Sequence, residues 1–131
     1  MISNENRQEL ITYRFGQAKE TFELARFLTD QGKLSVAVNR IYYGMFYALG
    51  ALALKHGFTT SKHSQLIGWF NKYFVSTHIT DARYGKILRD AFRNRTKGDY
   101  DAFIEFSPDM VSLMLVEMDQ FIEEVGRLLN L

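Results

Sequence analysis

Residues 34–56, LSVAVNRIYYGMFYALGALALKH, are apolar over most of the circumference that a helix would present. A helix apolar all round must be wrapped by other elements or by lipid. Its longest apolar run, IYYGMFYALGALAL at 41–54, is shorter than the roughly 20 residues a bilayer demands, and tyrosines stud it. The segment is therefore expected to be the central helix of a bundle, with the rest of the chain built around it.

The flanking sequence supplies the wrapping. Ile11, Phe15, Ala18, Phe22, Ala25 and Leu28 recur at steps of three and four, which predicts a first helix from about Asn4 to Thr29. Asp30-Gln31-Gly32 reads as a turn, and Gly57 is placed to close the second helix. Thr59-Thr60-Ser61 offers N-cap hydroxyls for a third helix over 62–74. Thr80-Asp81 caps a fourth, ending near Gly98. Ser107-Pro108, a hydroxyl cap followed by proline at the first helical position, starts a fifth. Its stripe is Val111, Met114, Met118, Phe121, Val125 and Leu128. One proline and nine glycines leave little turn material. The expected fold is all-α, an up-and-down helical bundle of four to five helices forming a single domain over residues 1–131. Gly44 and Gly50 each weaken the central helix by roughly 1 kcal/mol relative to Ala, so close approach by another helix is expected at both.

The composition, 47% hydrophobic and 24% charged, is that of a globular chain. The absence of cysteine removes disulfide and thiolate chemistry and fits a cytoplasmic protein. The N-terminus, MISNENRQEL, has no apolar signal-peptide core, so a soluble protein without a membrane anchor is expected. His56, His63 and His78 stand too far apart for a helical metal pair, and no acid or cysteine cluster completes one. Phosphate-loop, dinucleotide and nucleophile-elbow signatures are missing, and no metal or other cofactor is expected. His63, near the start of the third helix, is more simply a structural residue than a catalytic one.

Charge is unevenly placed. Lys33 to Lys97 carry eleven cations against two acids, whereas 98–131 carry eight acids against Arg127. Such asymmetry marks either a surface for an anionic partner or an acidic helix lying beside a basic one. Two segments concentrate the chemistry. In the central helix Arg40, Tyr43, Gly44 and Tyr47 share a face, and Arg40 must find acceptors there or reach for water. In the fourth helix Lys86, Arg89, Arg93 and Lys97 form a cationic stripe opposite Tyr84, Leu88, Ala91 and Phe92. A stripe of this kind grips phosphate without reading bases.

Ala37 through Tyr47, His63-Ser64, Phe70 through Val75, and Arg93 through Tyr100 together resemble the HEPN domain over roughly residues 8–128. The likeness is narrower to small stand-alone HEPN proteins paired with a minimal nucleotidyltransferase. The resemblance implies a bundle of four to five helices, usually a homodimer. It also implies either a metal-independent RNase acting as a toxin or a non-catalytic partner. The family's catalytic signature is an Arg, four to six residues, then a His, often with Asn after the Arg and Tyr two after the His. Arg93, Asn94 and Tyr100 match its outer parts, but Gly98 and Asp99 stand where the His would fall, and no histidine follows Arg93.

Metal-free RNA cleavage needs a group that both takes and gives a proton near neutrality, usually His. Asp99 is the nearby substitute, but Arg93, Arg95 and Lys97 favour its carboxylate form, a poor proton donor. The expected protein is thus a non-catalytic or weakly active HEPN homodimer, acting with a minimal nucleotidyltransferase in a toxin–antitoxin-like system. Arg40, Tyr43, Arg93, Asn94, Arg95 and Lys97 are its candidate nucleotide- or RNA-binding residues. The alternatives are an RNase toxin using Arg93 with Asp99 or Tyr100, and a plain nucleotide- or RNA-binding module. Eleven Phe and seven Tyr exceed what one small core readily hides, a second reason to expect a dimer. The basic stripe is expected beside Arg40 and Tyr43, with Asp99 or Tyr100 in reach of the arginines. If the scaffold keeps the family's geometry, Gly98→His is expected to restore some RNase activity.

Overall fold

A computed structural model describes residues 3–131 of the chain. The reading of the N-terminus as leaderless includes Met1 and Ile2, which lie outside the described residues. Five helices follow one another: α1 (Asn4–Asp30), α2 (Leu34–Lys55), α3 (His63–Phe70), α4 (Ala82–Tyr100) and α5 (Pro108–Leu129). They form an all-α, up-and-down bundle, with no strand among the described residues. No helix among those residues is long and apolar enough to cross a membrane.

α2 is the hub. Val38, Ile41, Tyr42, Met45, Leu49 and Leu52 are fully enclosed, and α1, α4 and α5 all pack on it. α1 lays down Ile11, Phe15, Ala18 and Ala25, and α5 lays down Val111, Met118, Phe121 and Val125. These are the stripes the spacing predicts, displaced only at the edges, where Phe22, Leu28 and Leu128 remain partly buried. The helix starts are equally local. Ser3 Oγ accepts from Asn6 N at 3.1 Å, Asp81 Oδ1 from Arg83 N at 2.8 Å, and Ser107 Oγ from Met110 N at 3.1 Å. Gly57 and Gly32 close their helices at positive φ, 75° and 74°.

Three expectations are corrected. The third helix is not continuous to Phe74: it widens into a π-helical turn at Asn71–Val75, where Ser76 N donates to Asn71 O at 2.8 Å. α4 passes that turn at Gly85, where a Cβ would lie 2.6 Å from Asn71 Oδ1, so the widened turn sits against a helix crossing. No hydroxyl at 59–61 is the N-cap of α3. Lys62 holds that position, and Thr60 supports it from outside by accepting from Lys62 N at 3.1 Å. The fourth helix runs past Gly98 to Tyr100.

The two central-helix glycines also separate. A Cβ on Gly44 would fall 2.1 Å from Met118 Cε and 3.3 Å from Thr21 Cγ2, so Gly44 is the point where α5 and α1 close on α2. At Gly50 the nearest atom would be Arg14 Cδ at an ordinary 3.9 Å, and no close approach explains that glycine.

Candidate functional site

The second turn of α2 and the last three turns of α4 meet in a cluster of polar and aromatic groups. α4 is amphipathic: Leu88, Ala91 and Phe92 face inward, and Arg95 and Asp99 continue that row at steps of three and four. The row carries Arg95 against α2, where its side chain is only 18% exposed. Its Nη2 donates to Tyr43 Oη at 2.7 Å, and its Nε lies 2.9 Å from Asp99 Oδ2. The guanidinium stands 5.1 Å from the Tyr43 ring centre and 5.7 Å from that of Tyr42.

Arg40 comes to the same ring from the other element, 4.9 Å from the Tyr43 centre. It donates through Nε and Nη2 to Asn39 Oδ1, at 3.0 and 2.7 Å. Asn39 then donates through Nδ2 to Asp99 Oδ1 at 3.3 Å. Arg40, Asn39, Asp99 and Arg95 thus form a chain of charge-assisted contacts around Tyr43. Arg40 is half-buried yet has its acceptor, which meets the requirement the sequence raised.

Beneath the chain lies an aromatic floor that includes a histidine. Tyr42 is fully buried and its hydroxyl lies 2.7 Å from His63 Nδ1; Phe46 stacks on the imidazole at 4.2 Å. Burial pushes the Tyr42 phenol well above its ordinary value, against the pull of the Arg95 charge, so it stays protonated. Burial, and then the Arg95 charge, hold His63 below its ordinary value, so it is neutral at pH 7. A buried phenolic proton left without an acceptor is costly, so Tyr42 donates to Nδ1 and the imidazole proton sits on Nε2.

The expected site residues divide. Arg40, Tyr43, Arg95 and Asp99 come together. Arg93 does not: it is 59% exposed on the opposite face and pairs with Asp90, which also takes Lys86 at 2.7 Å. Hydrogen bonding from Lys86, assisted by Arg93 and Arg89, holds the Asp90 carboxyl below its usual range. Asn94 turns toward α5, with Nδ2 4.0 Å from Met114 Sδ. Lys97 is exposed, and Tyr100 is 81% exposed with no place in the cluster. Asn39, Tyr42 and His63 belong to the cluster but were not among the expected binding or catalytic residues. Every ion pair among the described residues lies within one helix, but α5 packs beside α4, and Arg83 donates to Gln120 Oε1 at 2.8 Å. Hydrogen bonding from Arg127, helped by the Arg83 charge, holds Glu124 below its usual range.

Comparison with known proteins adds three findings. The HEPN domain pattern matches residues 11–128. The chain is 33% identical to the UPF0332 protein of Thermotoga maritima over 124 residues, 95% of this chain and 94% of that one. It is also similar to two candidate toxins of Methanocaldococcus jannaschii. One is 30% identical over 86% of this chain and 77% of its own length, the other 27% identical over 98% and 96%.

Proposed function

The chain belongs to the HEPN domain family, and from that premise we propose that it is a phosphate-gripping HEPN protein with little or no ribonuclease turnover. On this reading residues 1–131 act as one cytoplasmic domain within a toxin–antitoxin-like pair, its partner a minimal nucleotidyltransferase. The toxin-like character draws on the two Methanocaldococcus relatives. The nucleotidyltransferase draws on the resemblance to small paired HEPN proteins. A homodimer with the α4 ends near its axis draws on Tyr100 and Phe103, 81% and 94% exposed at that end.

The observation that carries the binding role is the pair of guanidiniums of Arg40 and Arg95 on one tyrosine, Tyr43. Two cations held in place by aromatic and amide contacts suit the oxygens of an RNA phosphate. Turnover is a different matter. The sequence has no histidine beyond Arg93. His63, brought close by α3, has Nδ1 engaged by the Tyr42 hydroxyl and its ring stacked on Phe46, a setting that suits a structural imidazole better than a general base. The RNase alternative built on Arg93 needs a residue that here faces Asp90 and solvent.

The test is to incubate the purified protein with single-stranded RNA, with and without magnesium. The expected result is salt-sensitive binding without cleavage, weakened by Arg95→Gln. Cleavage by the unmodified protein that Arg93→Ala abolishes would establish the RNase reading instead. Co-expression with a nucleotidyltransferase encoded beside the gene should give a stable complex, and two proteins that purify separately would remove that part of the proposal.

A further inference from the structure

Asp99 is oddly placed for a surface carboxylate. It lies in the last turn of α4, where the helix carbonyls already gather negative potential, and a carboxylate there is disfavoured. Yet both its oxygens turn into the seam with α2. Oδ2 meets Arg95 Nε at 2.9 Å, and Oδ1 accepts from Asn39 Nδ2 at 3.3 Å. Asn39 is itself fixed, because its Oδ1 accepts from two nitrogens of Arg40, Nε and Nη2. An amide donates to one oxygen of the anion and a guanidinium lies at ion-pair distance from the other, its buried Nε misaligned and without a hydrogen-bond partner, with a second guanidinium beside them. That is the donor set by which proteins hold two non-bridging oxygens of a phosphodiester.

We propose that the Arg95–Asn39 pair is the seat for one RNA phosphate and that Asp99 occupies it as an internal stand-in, leaving when the ligand arrives. The inference rests on the phosphate-gripping reading above and adds to it the residue that competes with the ligand. An ion pair four residues apart on a helix is a weak contact, and Asp99 is open enough to water to swing outward. A phosphodiester takes its place among the same donors, with Arg40 gaining a second anionic neighbour. No bond is made or broken, and the exchange is of one anion for another. The protein thus binds RNA less tightly than its arginines alone would, and Asp99 sets the threshold.

The test uses the full chain and a short fluorescein-labelled polyuridine RNA, followed by anisotropy across a salt series. Asp99→Asn keeps the shape of the side chain and removes the competing charge. Asp101→Asn makes the same change in net charge two residues away, at a carboxylate that accepts from Phe103 N and touches no arginine. Asp99→Asn is expected to bind about fivefold tighter across the series with about the same salt slope, since the same phosphate is gripped in both, whereas Asp101→Asn stays within about twofold of the parent. Adding Arg95→Gln to Asp99→Asn should erase the gain. Equal effects of the two Asn substitutions, with binding by the parent still dependent on Arg95, would overturn the stand-in alone. RNA binding that ignores Arg95, or no binding by any variant at low salt, would overturn both the stand-in and the reading beneath it. An independent readout in the unmodified protein is the Asp99 carboxylate carbon resonance, which should move on RNA addition; a resonance that stays fixed while RNA saturates the protein also overturns the proposal.

Discussion

Arg93 and Arg95 are the same residue type, two positions apart on one helix, and they live in different media. Two residues rotate a helix by roughly 200°, so if one faces the bundle the other faces water. Arg93 joins Lys86 on Asp90 in a surface network. Arg95 is wedged between Tyr43, Tyr42 and Asp99. The difference teaches that α4 is two surfaces. One is an exposed, salt-screened cationic face with Asp90 as its counter-charge, and the other a seat where charge is desolvated and directional.

The largest expected effect breaks this contrast if it fails. Arg95→Met should lower unfolding stability by roughly 1–3 kcal/mol, since it strips the partner from the Tyr43 hydroxyl and from one oxygen of Asp99. Arg93→Met should stay within about 0.5 kcal/mol, the usual scale for an exposed pair. Urea denaturation of both variants measures the gap. Equal losses would mean the two faces are not distinct.

Next in size is Gly98→His. The sequence alone makes this the natural restoration of the catalytic signature, but Phe106 is in the way. A Cβ at 98 would lie 3.2 Å from Phe106 Cε2 and 3.4 Å from its Cζ, and Phe106 is buried. The substitution should destabilise by roughly 1–2 kcal/mol as Phe106 is displaced, and RNA incubated with the variant should remain intact. A stable, RNA-cleaving variant would show that the α4 end keeps room for the missing imidazole.

Much of this was legible in the sequence because it is local. The all-round apolar α2, the stripes of α1 and α5, and the caps at Asp81 and Ser107-Pro108 follow from residues within a turn of each other. The π turn at Asn71 and the open space at Gly50 do not, since each depends on what a distant helix does there. In the site, Arg40 and Tyr43 could be paired by helical spacing. The family motif falls on Arg93-Asn94 and masks the difference between Arg93 and Arg95, although the sequence carries a signal: Arg95 lies seven beyond Leu88 and four beyond Ala91, on the buried row. His63 had no such signal. It is 21 residues from Tyr42 and arrives through a loop and a new helix.

The smallest expected effect is also the finest probe of the two faces. His63 titrates below its ordinary value because of burial first and the Arg95 charge second. As pH falls below about 6.5 the unfolded chain takes up this proton before the folded one does. The neutral imidazole therefore contributes stability in full above that pH, and the contribution fades as pH drops through the folded value. Arg95→Met removes the second cause and leaves the first, so His63 should move part of the way back toward 6.5. Arg93→Met should leave it unmoved, since that charge stands on the outer face. An NMR titration following the His63 imidazole proton in the three proteins reads this directly. His56 is an internal reference, because its own depression comes from burial and Lys55 rather than from either arginine. A His63 titration that responds equally to both substitutions would mean that α4 projects its charge as a uniform field, and the two faces would then be electrostatically one.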